Sequence, residues 1–433
     1  MSNPLDPHAA IVLEATGLDD GGTLRTADGQ PLAKALARSS RRARRRALFL
    51  VLPLLLFVLL TFVLPIGQML QRSVKNDGFS ANMPQLSAWF RANPGVIQPD
   101  DAAWAALAAD LQTSAKDRTI GVVGTRVNYD MPGTRSLFTS AGRKAKGGLE
   151  PPYRDAMLAI DQKWGDPQLW SVMRQASSAY TANFYLAAMD RTRDAEGNIV
   201  KAPVEQRIYL QLFMRTFWLS FIITCTTFLL GFPIAHLLAT LPMRKSNLLM
   251  ILVLLPFWTS LLVRTTAWMV LLQQQGVVND VLVWLGIIRD DQRLQMIFNQ
   301  TGTIIAMTHI LLPFMILPLY SVMRTINPSY VRAARSLGAT SWTAFRRIYF
   351  PQTLPGLGAG ALLVFILAVG YYITPALVGG SSGQLISNLI AMHMTQTLNW
   401  SMAAALAAML LGGVLILYWV YDRLVGIDNL KLG

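Results

Sequence analysis

One cysteine, four histidines and no phosphate-binding loop narrow the chemistry of this 433-residue chain before any element is assigned. Cys225 stands alone, so no intramolecular disulfide can form, and inside an apolar run it reads as a small packed hydrophobe. No GxxxxGK[ST] pattern occurs, so a nucleotide that drives the protein binds another chain. Charged residues make up only 14% of the sequence and are segregated, which leaves long stretches almost free of them. The later apolar stretches hold essentially no Asp or Glu. Carriers driven by protons or sodium need intramembrane ionisable groups or ion-coordinating broken helices, and the sequence speaks against that class. His236 and His309 lie in those stretches without acidic partners, and read as packing or interface residues rather than proton relays.

What is abundant is apolar: 53% of the residues are hydrophobic. A bilayer core about 30 Å thick needs roughly 20 consecutive apolar residues at helical rise. Such runs occur at 47–70, 214–238, 248–272, 303–322, 359–378 and 402–420, and predict an all-α membrane protein with six transmembrane helices. The net charge of +14 is placed for topology and lipid headgroups, not for nucleic acid. Arg38, Arg41, Arg42, Arg44, Arg45 and Arg46 precede the first run; Arg244, Lys245, Arg324, Arg332, Arg335, Arg346 and Arg347 follow on the same side if the spans alternate. The opposite connections are poor in base: 273–300 holds only Arg289 and Arg293, and 379–401 holds none. This positive-inside pattern predicts that both termini are cytoplasmic. Residues 68–73 offer no small-x-small cleavage site, so the first run reads as a retained span rather than a secretory signal.

These marks divide the chain into a largely disordered basic cytoplasmic tail (1–46), a first span (47–70), an extracytoplasmic insert (71–207), a five-helix core (208–421) with a cytoplasmic loop at 324–356, and a cytoplasmic C-terminal tail (422–433). The insert is the size of a small domain. Within it Asp100 and Asp101 open a helix, 152–164 predicts another, and Asp166 caps a third with Leu169, Trp170, Met173 and Ala176 on one face. Residues 180–189 also read as helical, 194–198 as a turn, and 119–128 as the best strand candidate. Prolines at 53, 65, 233, 256, 313, 318 and 375 predict bent spans.

The most informative stretch is the 324–356 loop. Asn327 and Pro328 start a short helix, and Gly338 ends it. Ser341 is the expected cap of a second helix, stopped by Pro351 and Pro355. Ala333 and Ala334 permit close approach by another surface, while Arg335, Arg346 and Arg347 hold the turn at the aqueous interface.

The segment NPSYVRAARSLGATSWTAFRRIYFPQTLPG resembles the EAA loop of ABC importer permeases, through Ala333, Ala334, Leu337, Gly338, Ala339, Phe345, Pro351, Pro355 and Gly356. Arg332 stands where that family has glutamate. The resemblance extends over residues 215–422, where RTFWLSFIITCTTFLLGFPIAHLLA, LLPFWTSLLVRTTAWMVLLQQQGVVNDVL and GYYITPALVGG are similar to the polyamine/opine/phosphonate branch. It implies a type I importer permease fold and a bacterial inner-membrane location. It also implies a loop, carried by Arg332, Ala333, Ala334, Leu337, Gly338, Ala339, Phe345 and Pro351, that docks an ATPase subunit. The implied partners are two ATPase subunits that bind the ATP, a second and distinct permease, and a periplasmic solute-binding protein. No cofactor, metal or catalytic residue belongs to this chain, and a polyamine is the first choice of solute. Opine-like and aminophosphonate solutes are alternatives, and an ion-coupled carrier is the rival class.

Candidates for the translocation pathway are Arg264, Trp268, Asn279, Tyr371 and Tyr372. Arg264 either faces the pathway or pairs with a backbone carbonyl in the bundle interior. The aromatic residues are stacking surfaces or interfacial anchors. Many relatives carry an acid after the fifth-span glycine, where this chain has Tyr371 after Gly370.

Overall fold

Apolar runs in this chain become helices because a bilayer leaves no water to satisfy backbone groups, and their prolines decide where those helices bend. The computed structural model describes residues 32–96, 98–194 and 196–425. It divides into two units, Met1–Met69 and Leu70–Gly433. Five helices are long and apolar enough to cross a membrane: Ala43–Arg72, Val204–Thr240, Gln300–Thr325, Ser341–Gly370 and Trp400–Arg423. A sixth candidate is a pair bent by 97°, Met243–Trp258 with Leu261–Leu271.

In the first unit, helix α1 (Leu32–Val58) carries the arginine cluster, so residues 32–46 are helical where a disordered tail was expected. The expected tail at 1–31 lies outside the described residues, as does 426–433 of the C-terminal tail. A wide turn, Leu59–Val63, follows α1 and closes with Leu64 N–H donating to the Leu59 carbonyl, just before Pro65. Proline crowds the carbonyl four residues back and lacks a donor. A π turn absorbs both defects without ending the helix.

The second unit opens with a helical block. Its helices are α2 (Pro84–Ala92), α3 (Asp101–Lys116), α4 (Ile120–Asp130), α5 (Thr134–Ala145), α6 (Tyr153–Leu158), α7 (Pro167–Ala176) and α8 (Asn183–Ala188). Asp100 caps α3 by accepting from Ala103 N–H at 2.8 Å, and Asp166 caps α7 by accepting from Gln168 N–H at 2.8 Å. Leu169, Trp170, Met173 and Ala176 line the buried face of α7, as their spacing predicts. The 152–164 helix is shorter than expected: α6 ends at Leu158 and a single 3-10 turn, Gln162–Gly165, follows. The strand expected at 119–128 is helix α4. Its β-branched Val123 and Val127 are fully buried one turn apart, and Gly124 lies so near α5 that a Cβ there would meet the Phe138 Cβ at 2.9 Å. Tertiary packing overrides local β preference. A hairpin, β1 (Arg191–Arg193) with β2 (Ile199–Lys201), encloses the expected 194–198 turn. Asp190 then ties the block to the next helix, accepting from Tyr209 and Leu210 N–H at 3.0 Å each.

That helix, α9 (Tyr209–Thr240), packs against α13 (Gln300–Thr325) and α15 (Phe350–Gly370). Between α9 and α13 lie α10 (Met243–Leu254), α11 (Leu261–Leu271) and α12 (Val277–Trp284). Gly356 brings α15 to within van der Waals range of the α13 backbone, its missing Cβ leaving 2.9 Å to the Pro318 carbonyl. Small residues at such crossings let membrane helices approach closely. The run at 248–272 is the bent pair, broken where its proline predicts: Pro256 leads into a 3-10 turn, Leu255–Trp258, and the chain turns before α11. The span expected at 359–378 is displaced, because the helix begins at Ser341 and stops at Gly370. Tyr371 turns extended, and α16 (Ile373–Val378), α17 (Ile386–Thr395) and α18 (Trp400–Val425) follow.

Candidate functional site

Two groups of residues stand out, one on the loop after α13 and one around α11. The loop begins with a short helix, α14 (Pro328–Ser336). Asn327 caps it, accepting from Ser329 N–H at 2.9 Å. At its end Ala339 N–H reaches the Ala334 carbonyl at 3.1 Å and Gly338 N–H the Arg335 carbonyl at 3.0 Å, with Gly338 at φ +92°. That left-handed close is the geometry glycine serves at a helix C-terminus. The next cap is Thr340 rather than Ser341, its hydroxyl accepting from Thr343 N–H at 3.2 Å.

The second helix does not stop at Pro351 or Pro355. A π turn, Phe345–Tyr349, precedes Pro351 as one precedes Pro65, and the helix runs on to Gly370. The second half of the loop is therefore continuous with α15. Its outer end is apolar and bare: Leu337 is 89% exposed, Trp342 68% and Tyr330 56%. Arg332, Ala333, Gly338 and Pro351 are exposed too, while Ala334, Ala339 and Phe345 are half-buried.

Inward, an aromatic column ties that end to α9. Trp342 stacks on Phe345 at 5.7 Å, and Phe345 on Tyr349 at 5.9 Å. Phe232 of α9 meets Phe345 edge-on at 6.0 Å, and the Tyr349 hydroxyl bonds His236 Nδ1 at 3.0 Å. Arg324 adds a bond from its Nη1 to the Ala239 carbonyl at 3.0 Å. Sequence reasoning passed over Trp342, Tyr349, Phe232 and Tyr330. The i, i+3, i+7 spacing of Trp342, Phe345 and Tyr349 on one helix face was the available signal.

Around α11, the structure gathers three of the five pathway candidates. Arg264 lies in the neighbourhood of His309 of α13 and of Tyr371. Trp268, one turn along from Arg264, donates its indole N–H to His309 Nδ1 at 3.2 Å. Indole nitrogen is only a donor, so His309 presents a bare Nδ1. The neighbouring Thr265 is buried and meets Thr374 at 3.2 Å, which fixes α11 against α16. The other two candidates stand apart. Asn279 is buried, donates to the Gln273 and Leu294 carbonyls and accepts from Leu294 N–H, so its amide is spent on closing its own loop. Tyr372 is half-exposed and its carbonyl receives Asn388 Nδ2 at 2.7 Å.

Two grooves of about 500 and 400 Å³ lie elsewhere, where the helical block meets α9. They share Tyr129, Asp130, Ala187 and Tyr209. Among the described residues no cluster of His, Cys, Asp and Glu has the makings of a metal site.

Residues 208–425 match the family model described as "Binding-protein-dependent transport system inner membrane component". The spermidine/putrescine transport system permease protein PotB of Salmonella typhimurium (strain SL1344) is 36% identical over 221 residues, 50% of this chain and 76% of that protein. The inner membrane ABC transporter permease protein YdcU of Escherichia coli K12 is 32% identical over 204 residues, 45% of this chain and 65% of that protein. Among solved structures, a bacterial ABC transporter involved in import of the acidic polysaccharide alginate is similar with a TM-score of 0.41 and 19% identity, covering 52% of this chain and 80% of that one.

Proposed function

The chain belongs to the family of binding-protein-dependent transport system inner membrane components, and on that premise we propose that it is the permease through which an ATP-driven importer moves a polyamine. It is a multi-pass membrane transport subunit and not an enzyme. The proposed machine pairs it with a second permease, two ATPase subunits and a solute-binding protein in the periplasm. The bent pair counts as one span in this reading, which gives six, with the helical block outside the cytoplasm and both termini inside.

One observation carries the coupling role: a capped helix and a rigid π turn hold Leu337, Trp342 and Tyr330 out into water at the end of a basic loop. Large apolar side chains presented together in this way mark a protein contact. ATP-driven closure of the ATPases would push on this end, and the Trp342–Phe345–Tyr349 column would pass the displacement to α9 and α15. The PotB relatives favour spermidine or putrescine as the solute. Arg264, and Tyr371 in place of an acid, favour the second reading, a solute that also carries a negative charge. Purified transporter in vesicles decides: ATP-dependent accumulation of labelled putrescine supports the first reading, and indifference to putrescine with uptake of an amino-acid-like solute supports the second.

A further inference from the structure

A guanidinium inside a span is costly unless it is paired, and Arg264 has no partner among the described residues. Its Nε is buried without a partner, and among the described residues its side chain makes no hydrogen bond or ion pair. The groups beside it cannot answer it. The lone pair of His309 Nδ1 is taken by Trp268, and Tyr371 offers a phenol rather than a charge.

The described carboxylates of the same half of the chain are engaged or at its edge. Asp280 and Asp290 both bond Arg293 at 2.8 Å, and Asp291 lies 3.8 Å from Arg289. Asp422 sits near the end of α18. Arg264 is nevertheless firmly placed: Thr265 is locked to Thr374, and Trp268 covers the next turn of the same face.

We propose that Arg264 is one half of an oxyanion site whose other half, a carboxylate or a group of like chemistry, comes from outside this chain. The planar fork of arginine suits two-point recognition of a carboxylate. This rests on the importer reading, in which both a second permease and a solute approach α11. Either can bring the anion. The distinction bears on the solute, because a polyamine has no anionic group to offer, and a polyamine importer must draw the carboxylate from the partner permease.

The test uses the intact transporter purified with its partner subunits, as wild type, Arg264→Met and Arg264→Lys. Melting temperature and retention of the second permease are measured without solute, with putrescine and with ornithine, which is putrescine bearing one carboxylate. Removing one member of a buried ion pair strands the other, whereas removing a solitary buried charge relieves a desolvation cost. The sign of the change therefore separates the site from a merely structural arginine.

If the partner supplies the anion, Arg264→Met lowers the solute-free melting temperature by roughly 5 °C or more and sheds the second permease, with Arg264→Lys in between. If the solute supplies it, solute-free melting is unchanged or higher, and ornithine stabilises wild type at a concentration at least tenfold below that needed for Arg264→Met. Solute-free melting unchanged or raised, with ornithine acting alike on wild type and Arg264→Met or on neither, overturns the proposal. Failure of the importer reading looks different: the wild-type preparation then contains no ATPase at all.

Discussion

The helical block and the 324–356 loop treat their large side chains in opposite ways. In the block, Phe79, Phe138 and Trp164 are completely buried, and Trp104 and Trp170 pack edge-on at 4.9 Å inside it. On the loop, Leu337 and Trp342 are held in the open by a cap, a left-handed glycine and a π turn. The block completes its core from its own residues. The loop instead presents large apolar side chains that no other described residue covers.

The sharpest way to break the contrast is to make the block incomplete. Trp164→Ala removes a buried indole and should cost about 3–5 kcal/mol, read as rapid protease cleavage within residues 77–207 while the membrane helices stay protected. An equally bare result for the wild type would mean the block does not close its own core. On the loop, Gly338→Trp forces a bulky residue to φ +92° and disturbs the docking end. It should leave membrane insertion intact and lower solute-stimulated ATP hydrolysis at least about tenfold, a barrier change of about 1.4 kcal/mol. Full stimulation by that variant would separate the loop from coupling.

A smaller effect tests the column behind the loop. Tyr349→Phe deletes the bond to His236 and should weaken the link by roughly 1 kcal/mol, seen as ATP hydrolysis that continues while solute movement per ATP declines. The smallest effect returns to the block. Asp110 is buried, and burial raises its carboxyl above the ordinary range although Leu86 and Gln85 N–H groups oppose the shift. A raised folded pKa means the folded state holds the proton more tightly. That stability is complete below the ordinary aspartate value of about 3.9 and is lost as pH rises through the folded value. Asp110→Asn should flatten this fall in a melting series across the acidic range, and an unchanged slope would remove Asp110 as its source.

Elements that depend on local signals were legible in the sequence. Asn327, Gly338, Asp100 and Asp166 each do at their helix end what their residue type predicts. What was not legible depends on distant partners. Val123 and Val127 read as strand until Phe138 and Arg135 pack beside Gly124. Pro351 reads as a stop signal, yet the π turn ahead of it keeps the helix going. Pro256 marked a bend in the 248–272 run, but its size, 97°, was not legible. At the candidate site, residue types drew attention to Arg264 and Trp268, whereas their meeting at His309 needed the α11–α13 crossing. Asn279 shows the converse: a polar residue in an apolar stretch whose bonds all stay within its own loop.

The proposed docking of an ATPase at the Leu337 end of the loop can be captured chemically. A photo-crosslinking amino acid placed at position 337, activated in native membranes and followed by mass spectrometry, tests it most directly. The expected product is an adduct to a chain bearing a P-loop, lost when Gly338→Trp is added. Adducts to lipid alone, or to no ATPase in membranes where the transporter is assembled, would contradict it.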